Sequence, residues 1–120
     1  MDGKFFTVKE FECKCGCGAG IVDAHLVSKL DYARGMAGVP FRINSGFRCK
    51  AHNTAVGGHP ESQHLVGRAA DIRAVSRGIR YDIVRALMMS GFNRIGIGRE
   101  FVHVDILPTH NHVIWTYEDK

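Results

Sequence analysis

A chain of 120 residues, 45% of them hydrophobic, has enough apolar side chains for one compact core and too few residues for two ordinary domains, so a single domain over 1–120 is expected. No run approaches the roughly 18 apolar residues of a membrane span, and Asp2, Lys4, Lys9 and Glu10 interrupt the N-terminus where a signal peptide needs an apolar stretch; membrane insertion and an export signal are both excluded as expectations. The net charge of +4 suits a polyanionic partner, whether nucleic acid, anionic lipid or a bacterial cell wall, but the 16 lysines and arginines are scattered without an aromatic-basic cluster, which argues against nucleic acid.

In chain order, Thr7-Val8-Lys9-Glu10 has the form of a capping box between Phe6 and Phe11, which predicts one helical turn with its phenylalanines on the core. The run Cys13-Lys14-Cys15-Gly16-Cys17-Gly18 ends it, within a Cys/Gly-rich segment over 1–20 expected to pack on the domain. Cys49 is the only other cysteine. The favoured reading is reduced thiols in a tight turn, with one disulfide involving Cys49 if the protein leaves the cytoplasm. A second, structural zinc site on Cys13, Cys15, Cys17 and Cys49 is the less favoured reading, because structural zinc usually draws on cysteine pairs with two to four residues between them, whereas this run has one residue between its cysteines.

Asp23 is a plausible N-cap for a helix carrying Leu26, Val27, Leu30, Ala33 and Ala37 at helical spacing until Gly38-Val39-Pro40. A short strand over 41–44 turns through Ser45-Gly46-Phe47-Arg48 towards a helical turn near residues 52–56, and Val56-Gly57-Gly58-His59-Pro60 reads as a loop. A second strand covers 69–74. Ser76 caps a helix with Ile79, Ile83, Leu87 and Met88 on one face, closed by Gly91. Residues 94–98 and 101–106 alternate at period two as a hairpin, and 113–115 add an edge strand. This irregular mixture predicts an α+β fold with a small central antiparallel sheet flanked by helices.

Chemistry concentrates in two places. In Ser62-Gln63-His64-Leu65-Val66-Gly67-Arg68-Ala69-Ala70-Asp71 a histidine in a loop precedes an aspartate on a strand, while His103 alternates with Val102 and Val104 and so points away from the face of those valines. Two histidines and one carboxylate form a common catalytic zinc shell with a position left for water. Glu100, three residues before His103, suits a general base, and Arg48 has the guanidinium fork to meet a developing oxyanion.

Ser45-Gly46-Phe47-Arg48, His52-Asn53, Val56-Gly57-Gly58, Ser62-x-His64-x-x-Gly67-x-Ala69-x-Asp71-Ile72, Gly96-Ile97-Gly98 and Phe101-Val102-His103-Val104-Asp105 together resemble the M15 peptidases, over nearly the whole chain from about Phe5 to Trp115. These are the zinc D-alanyl-D-alanine carboxypeptidases and dipeptidases and the phage L-alanyl-D-glutamate endolysins, and the Cys-rich opening is also similar to short phage and prophage members. The resemblance implies the fold shared with the Hedgehog signalling domain, with Zn²⁺ on His64, Asp71 and His103, Glu100 as base and Arg48 polarising the scissile carbonyl. It further implies Ser62 on the substrate side. Asp105 is read as orienting a ligand histidine. Leu107 stands where many relatives have an arginine, and of the extra imidazoles His59, His110 and His112, read first as surface loop residues, His112 is kept as a substrate contact.

The function expected is hydrolysis of peptidoglycan stem peptides, as a D-Ala-D-Ala carboxypeptidase or an L-Ala-D-Glu endopeptidase. A monomeric phage or prophage lysis enzyme, made in the cytoplasm and acting on the wall after release, fits that expectation. The alternative is a zinc-binding module of the same fold without turnover.

Overall fold

Strand β1 (Ile43–Ser45), β2 (Ala69–Arg73), β3 (Arg94–Ile97), β4 (Phe101–Asp105) and β5 (Val113–Thr116) form one sheet in the order β1-β2-β4-β3-β5. They belong to a computed structural model that describes residues 3–117, so positions 1–2 and 118–120 of the expected domain lie outside the described residues. Helices α1 (Ala24–Ala37), α2 (Lys50–Ala55) and α3 (Arg77–Met89) join them, with 3₁₀ turns at Val8–Phe11 and Gln63–Val66.

The helix starts follow the capping residues. Asp23 Oδ1 accepts from the His25 N–H at 2.8 Å, and Ser76 Oγ from the Ile79 N–H at 3.1 Å. At the first 3₁₀ turn the Thr7 N–H donates to Glu10 Oε1 at 3.0 Å, and Phe6 and Phe11 are buried edge to face, their centroids 5.9 Å apart.

The sheet is mixed, which corrects the antiparallel sheet expected from the sequence. β1–β2, β2–β4 and β4–β3 are antiparallel, but β5 runs parallel to β3. The reason lies in the connection. β3 and β4 form a hairpin, so β4 ends where β3 begins, and residues 106–112 need only pass that end of β3 for β5 to start beside it in the same direction.

Alternation then sorts the two faces. Ala70, Ile72, Val102 and Val104 point into a core with Leu26, Leu30 and Ala33 of α1 and Ile83, Ala86 and Leu87 of α3. α1 packs on α3, and α3 on β4. Each fully buried Leu or Ile there contributes about 1.5–3 kcal/mol. The opposite face of β2 and β4 carries Asp71, Phe101, His103 and Asp105, which line an open cavity of about 680 Å³.

Candidate metal centre

The register of β2 on β4 places Asp71 directly across from His103, and Asp71 Oδ1 lies 2.9 Å from His103 Nδ1. His64 arrives from the second 3₁₀ turn, where a loop is expected from the sequence. Ser62 Oγ accepts from the His64 N–H at 3.1 Å and starts that turn, which leaves His64 Nε2 3.3 Å from Asp71 Oδ1. One ligand atom from each of His64, Asp71 and His103 thus falls within 4.8 Å of the others, and both imidazoles are buried.

The outer hydrogen bonds decide which ring nitrogens face inward. His64 Nδ1 lies 2.6 Å from the Gly46 carbonyl, which can only accept, so that nitrogen carries the proton. His103 Nε2 lies 2.8 Å from Asp105 Oδ2 and donates likewise. His64 Nε2, His103 Nδ1 and Asp71 Oδ1 therefore converge as three lone-pair donors with no proton between them while the rings are neutral. A divalent cation satisfies that arrangement, and two imidazoles with one carboxylate suit zinc. On this basis Asp105→Ala is expected to weaken zinc binding by about 10–100-fold by freeing the His103 ring, as measured by competition with a chromophoric chelator.

Without a metal, a proton on His103 Nδ1 sits between that ring and Asp71 Oδ1. Burial alone would lower the His103 pKa, but hydrogen bonds to Asp105 and Asp71 raise it above its ordinary value. Burial would raise Asp71, and hydrogen bonds from His103 and His64 instead hold its carboxyl well below the usual carboxylate range. Asp105 is lowered too, its burial outweighed by His103 and then Arg94.

The signs follow from linkage. The charged His103 stabilises the metal-free fold fully below its unfolded pKa, and that contribution is lost as pH rises through the raised folded value. The two aspartates stabilise above their unfolded pKa, and theirs is lost as pH falls through the depressed folded values. Zinc competes with the His103 proton, so zinc uptake near and below neutral pH is expected to release a proton and to weaken as pH falls. Titration calorimetry in two buffers of unlike ionisation heat measures that proton; equal heats in both would contradict it.

Arg48 is held at three points. Its Nε donates to Ser45 Oγ at 3.1 Å, Nη1 to Asn53 Oδ1 at 3.2 Å and Nη2 to Asp71 Oδ2 at 3.1 Å. Asn53 is itself buried and donates to the His59 carbonyl at 2.9 Å. The arginine thus turns the Asp71 carboxylate so that Oδ1 faces the histidines, a contact that the sequence reading did not assign to it.

Ser62, Arg48 and Asp105 all line the cavity. Glu100 does not; it is exposed in the turn before β4, where its carbonyl accepts from the Ala74 N–H at 2.8 Å. His112 lies on a different cavity, with Phe92, Asn93 and Ile95.

The wall also includes residues that the sequence reading had not placed there, among them His59, Glu61, Arg94, Trp115 and Tyr117. Arg94 pairs with Asp105 Oδ1 at 2.6 Å and lies over the Trp115 ring, 5.1 Å from its centroid. Burial raises the Tyr117 phenol, which stays a neutral hydrogen-bond donor. Gly96 makes room for this corner: a Cβ there would stand 2.7 Å from the Trp115 ring, which lies 5.5 Å from the His103 ring. The edge strand expected over 113–115 was the only signal for Trp115.

The family model described as Peptidase M15 matches residues 4–105. Over 60 residues the chain is 38% identical to the zinc D-Ala-D-Ala carboxypeptidase of Streptomyces albus G, a stretch that covers 50% of this chain and 23% of that protein.

Proposed function

This chain belongs to the peptidase M15 family, and from that membership we propose that it is a zinc-dependent peptidase acting on peptidoglycan stem peptides. The observation that carries the reading is the convergence of His64 Nε2, Asp71 Oδ1 and His103 Nδ1 in a cavity that also holds Arg48. Those three residues would hold the zinc. When bound, it supplies Lewis acidity towards water and the scissile carbonyl.

The protein's own residues supply the rest. Glu100 takes the proton of the attacking water and passes it to the leaving amine; the support is its place three residues before His103. Its exposed position is compatible with that work, since catalytic hydrogen bonds often tighten only in the substrate complex. Arg48 keeps Asp71 oriented and offers its guanidinium to the carbonyl oxygen as negative charge builds. Asp105 holds the His103 ring. Arg94, the second arginine on the wall, suits the free carboxylates of a stem peptide, in a chain where Leu107 supplies no charge.

Arg48→Ala is expected to lower kcat by about 10²–10³-fold with zinc kept saturating. Arg48→Lys recovers little of it, because a point charge cannot span Ser45, Asn53 and Asp71 together. Steady-state kinetics checks both variants.

The substrate reading is supported by the name of the Streptomyces relative and by the net charge of +4, which suits an anionic wall. The resemblance of the Cys-rich opening to phage members supports a lysis role for a monomer. Zinc-loaded protein incubated with purified muropeptides is expected to shift their masses, by loss of a terminal D-Ala or by cleavage between L-Ala and D-Glu. Unchanged muropeptides would overturn the proposal.

A further inference from the structure

We infer that Cys13, Cys15, Cys17 and Cys49 form a second, structural metal site that takes zinc as a four-thiolate centre. The sulfur positions carry the inference. Cys13 Sγ lies 3.4 Å from Cys15 Sγ and 3.7 Å from Cys49 Sγ, Cys15 and Cys49 are 3.7 Å apart, and all four sulfurs fall within 4.8 Å of one another. A tetrahedral zinc with Zn–S bonds of about 2.3 Å has S···S edges of about 3.8 Å, close to these separations. None of the four is in a disulfide, and pairing any two would strand two more thiols beside the bond.

Local sequence shows how the cluster is built. In an extended chain, cysteines at alternate positions would spread their sulfurs about 7 Å apart. Here the chain curls. Gly16 at φ +88 and Gly18 at φ +77 take the left-handed conformation, and the Cys13 N–H donates to the Ala19 carbonyl at 2.9 Å to close the loop. The fourth sulfur comes from 36 residues away, on the turn that follows β1. Two backbone donors point at the sulfurs, Cys49 N–H to Cys13 Sγ and His52 N–H to Cys49 Sγ, each at 3.4 Å. Such N–H···S bonds orient thiolate ligands and offset their charge.

Four protein ligands leave no open position, so this centre holds structure and does no hydrolysis. Its place gives it a function. Cys49 follows Arg48, the Phe47 N–H donates to the Phe11 carbonyl at 2.8 Å, and the Arg48 N–H donates to the His64 carbonyl at 3.0 Å. A metal here pins the N-terminal segment to the turn that aims Arg48 at Asp71.

The test is zinc per chain, by elemental mass spectrometry on the full chain purified under reducing conditions. The wild type is expected to hold two equivalents, while the His64→Ala/His103→Ala and Cys15→Ser/Cys17→Ser double variants each hold one. Cobalt in the His64→Ala/His103→Ala variant is expected to show thiolate-to-metal charge transfer in the near ultraviolet.

Should the cysteine variant not fold, the wild type still decides the matter: titration with an organomercurial should release one zinc per four thiols into a chromophoric chelator. Iron in place of zinc, a His64→Ala/His103→Ala variant without metal, a cobalt spectrum lacking the thiolate band, or thiols that titrate without releasing zinc would each overturn the proposal. None of these outcomes depends on hydrolysis.

Discussion

Asp71→Ala is expected to remove zinc from the His64–His103 site and to lower hydrolysis by at least about 10³-fold, or about 4 kcal/mol of activation free energy. Asp71 is the hinge of the centre: Oδ1 serves both histidines and Oδ2 takes Arg48. The same change is expected to destabilise the metal-free fold by about 3 kcal/mol. That is the low end of the cost of orphaning a buried charge, because Arg48 and Asp71 keep 15% and 13% exposure and Arg48 retains Ser45 and Asn53. Denaturant midpoints in chelator measure the second effect, and metal content with muropeptide turnover the first. Full zinc occupancy at this site in the variant would remove Asp71 from the proposed ligand set.

Glu100→Gln is expected to lower kcat by about 10²–10⁴-fold while zinc binding stays at the wild-type level, since the amide keeps the shape of the side chain and loses only its basicity. Glu61→Gln is the matched control, because Glu61 lines the cavity and Glu100 stands outside it. Loss of turnover in the Glu61 variant alone would move the base to Glu61. A wild type that binds zinc and never turns over would favour the non-catalytic module.

The two variants also mark where sequence reading stopped. Spacing along one strand indicated that His103 avoids the valine face, and the capping residues Asp23 and Ser76 indicated where α1 and α3 begin; both are local properties, and the structure agrees with both. Helix α2 starts earlier than the turn near residues 52–56, at Lys50, because Cys49 Sγ accepts from the His52 N–H. The side-chain direction of Glu100 was not readable in the same way, since a turn residue has no neighbours in register to fix it. Arg48 was legible as a functional arginine from its motif, but its three partners come from β1, α2 and β2 and are adjacent only after folding.

By itself the sequence determined the α+β class, the element boundaries set by caps and glycines, and, through motif resemblance, the three residues that converge on the candidate metal. The tertiary structure decided the β2–β4 register that sets Asp71 against His103, the parallel entry of β5 that brings Trp115 beside that histidine, and the curl that gathers four sulfurs. The division has one physical cause. Periodicity and capping depend on neighbours a few residues apart, whereas register, crossover and ligand convergence depend on groups far apart in sequence that only the packed sheet and closed loops bring within reach.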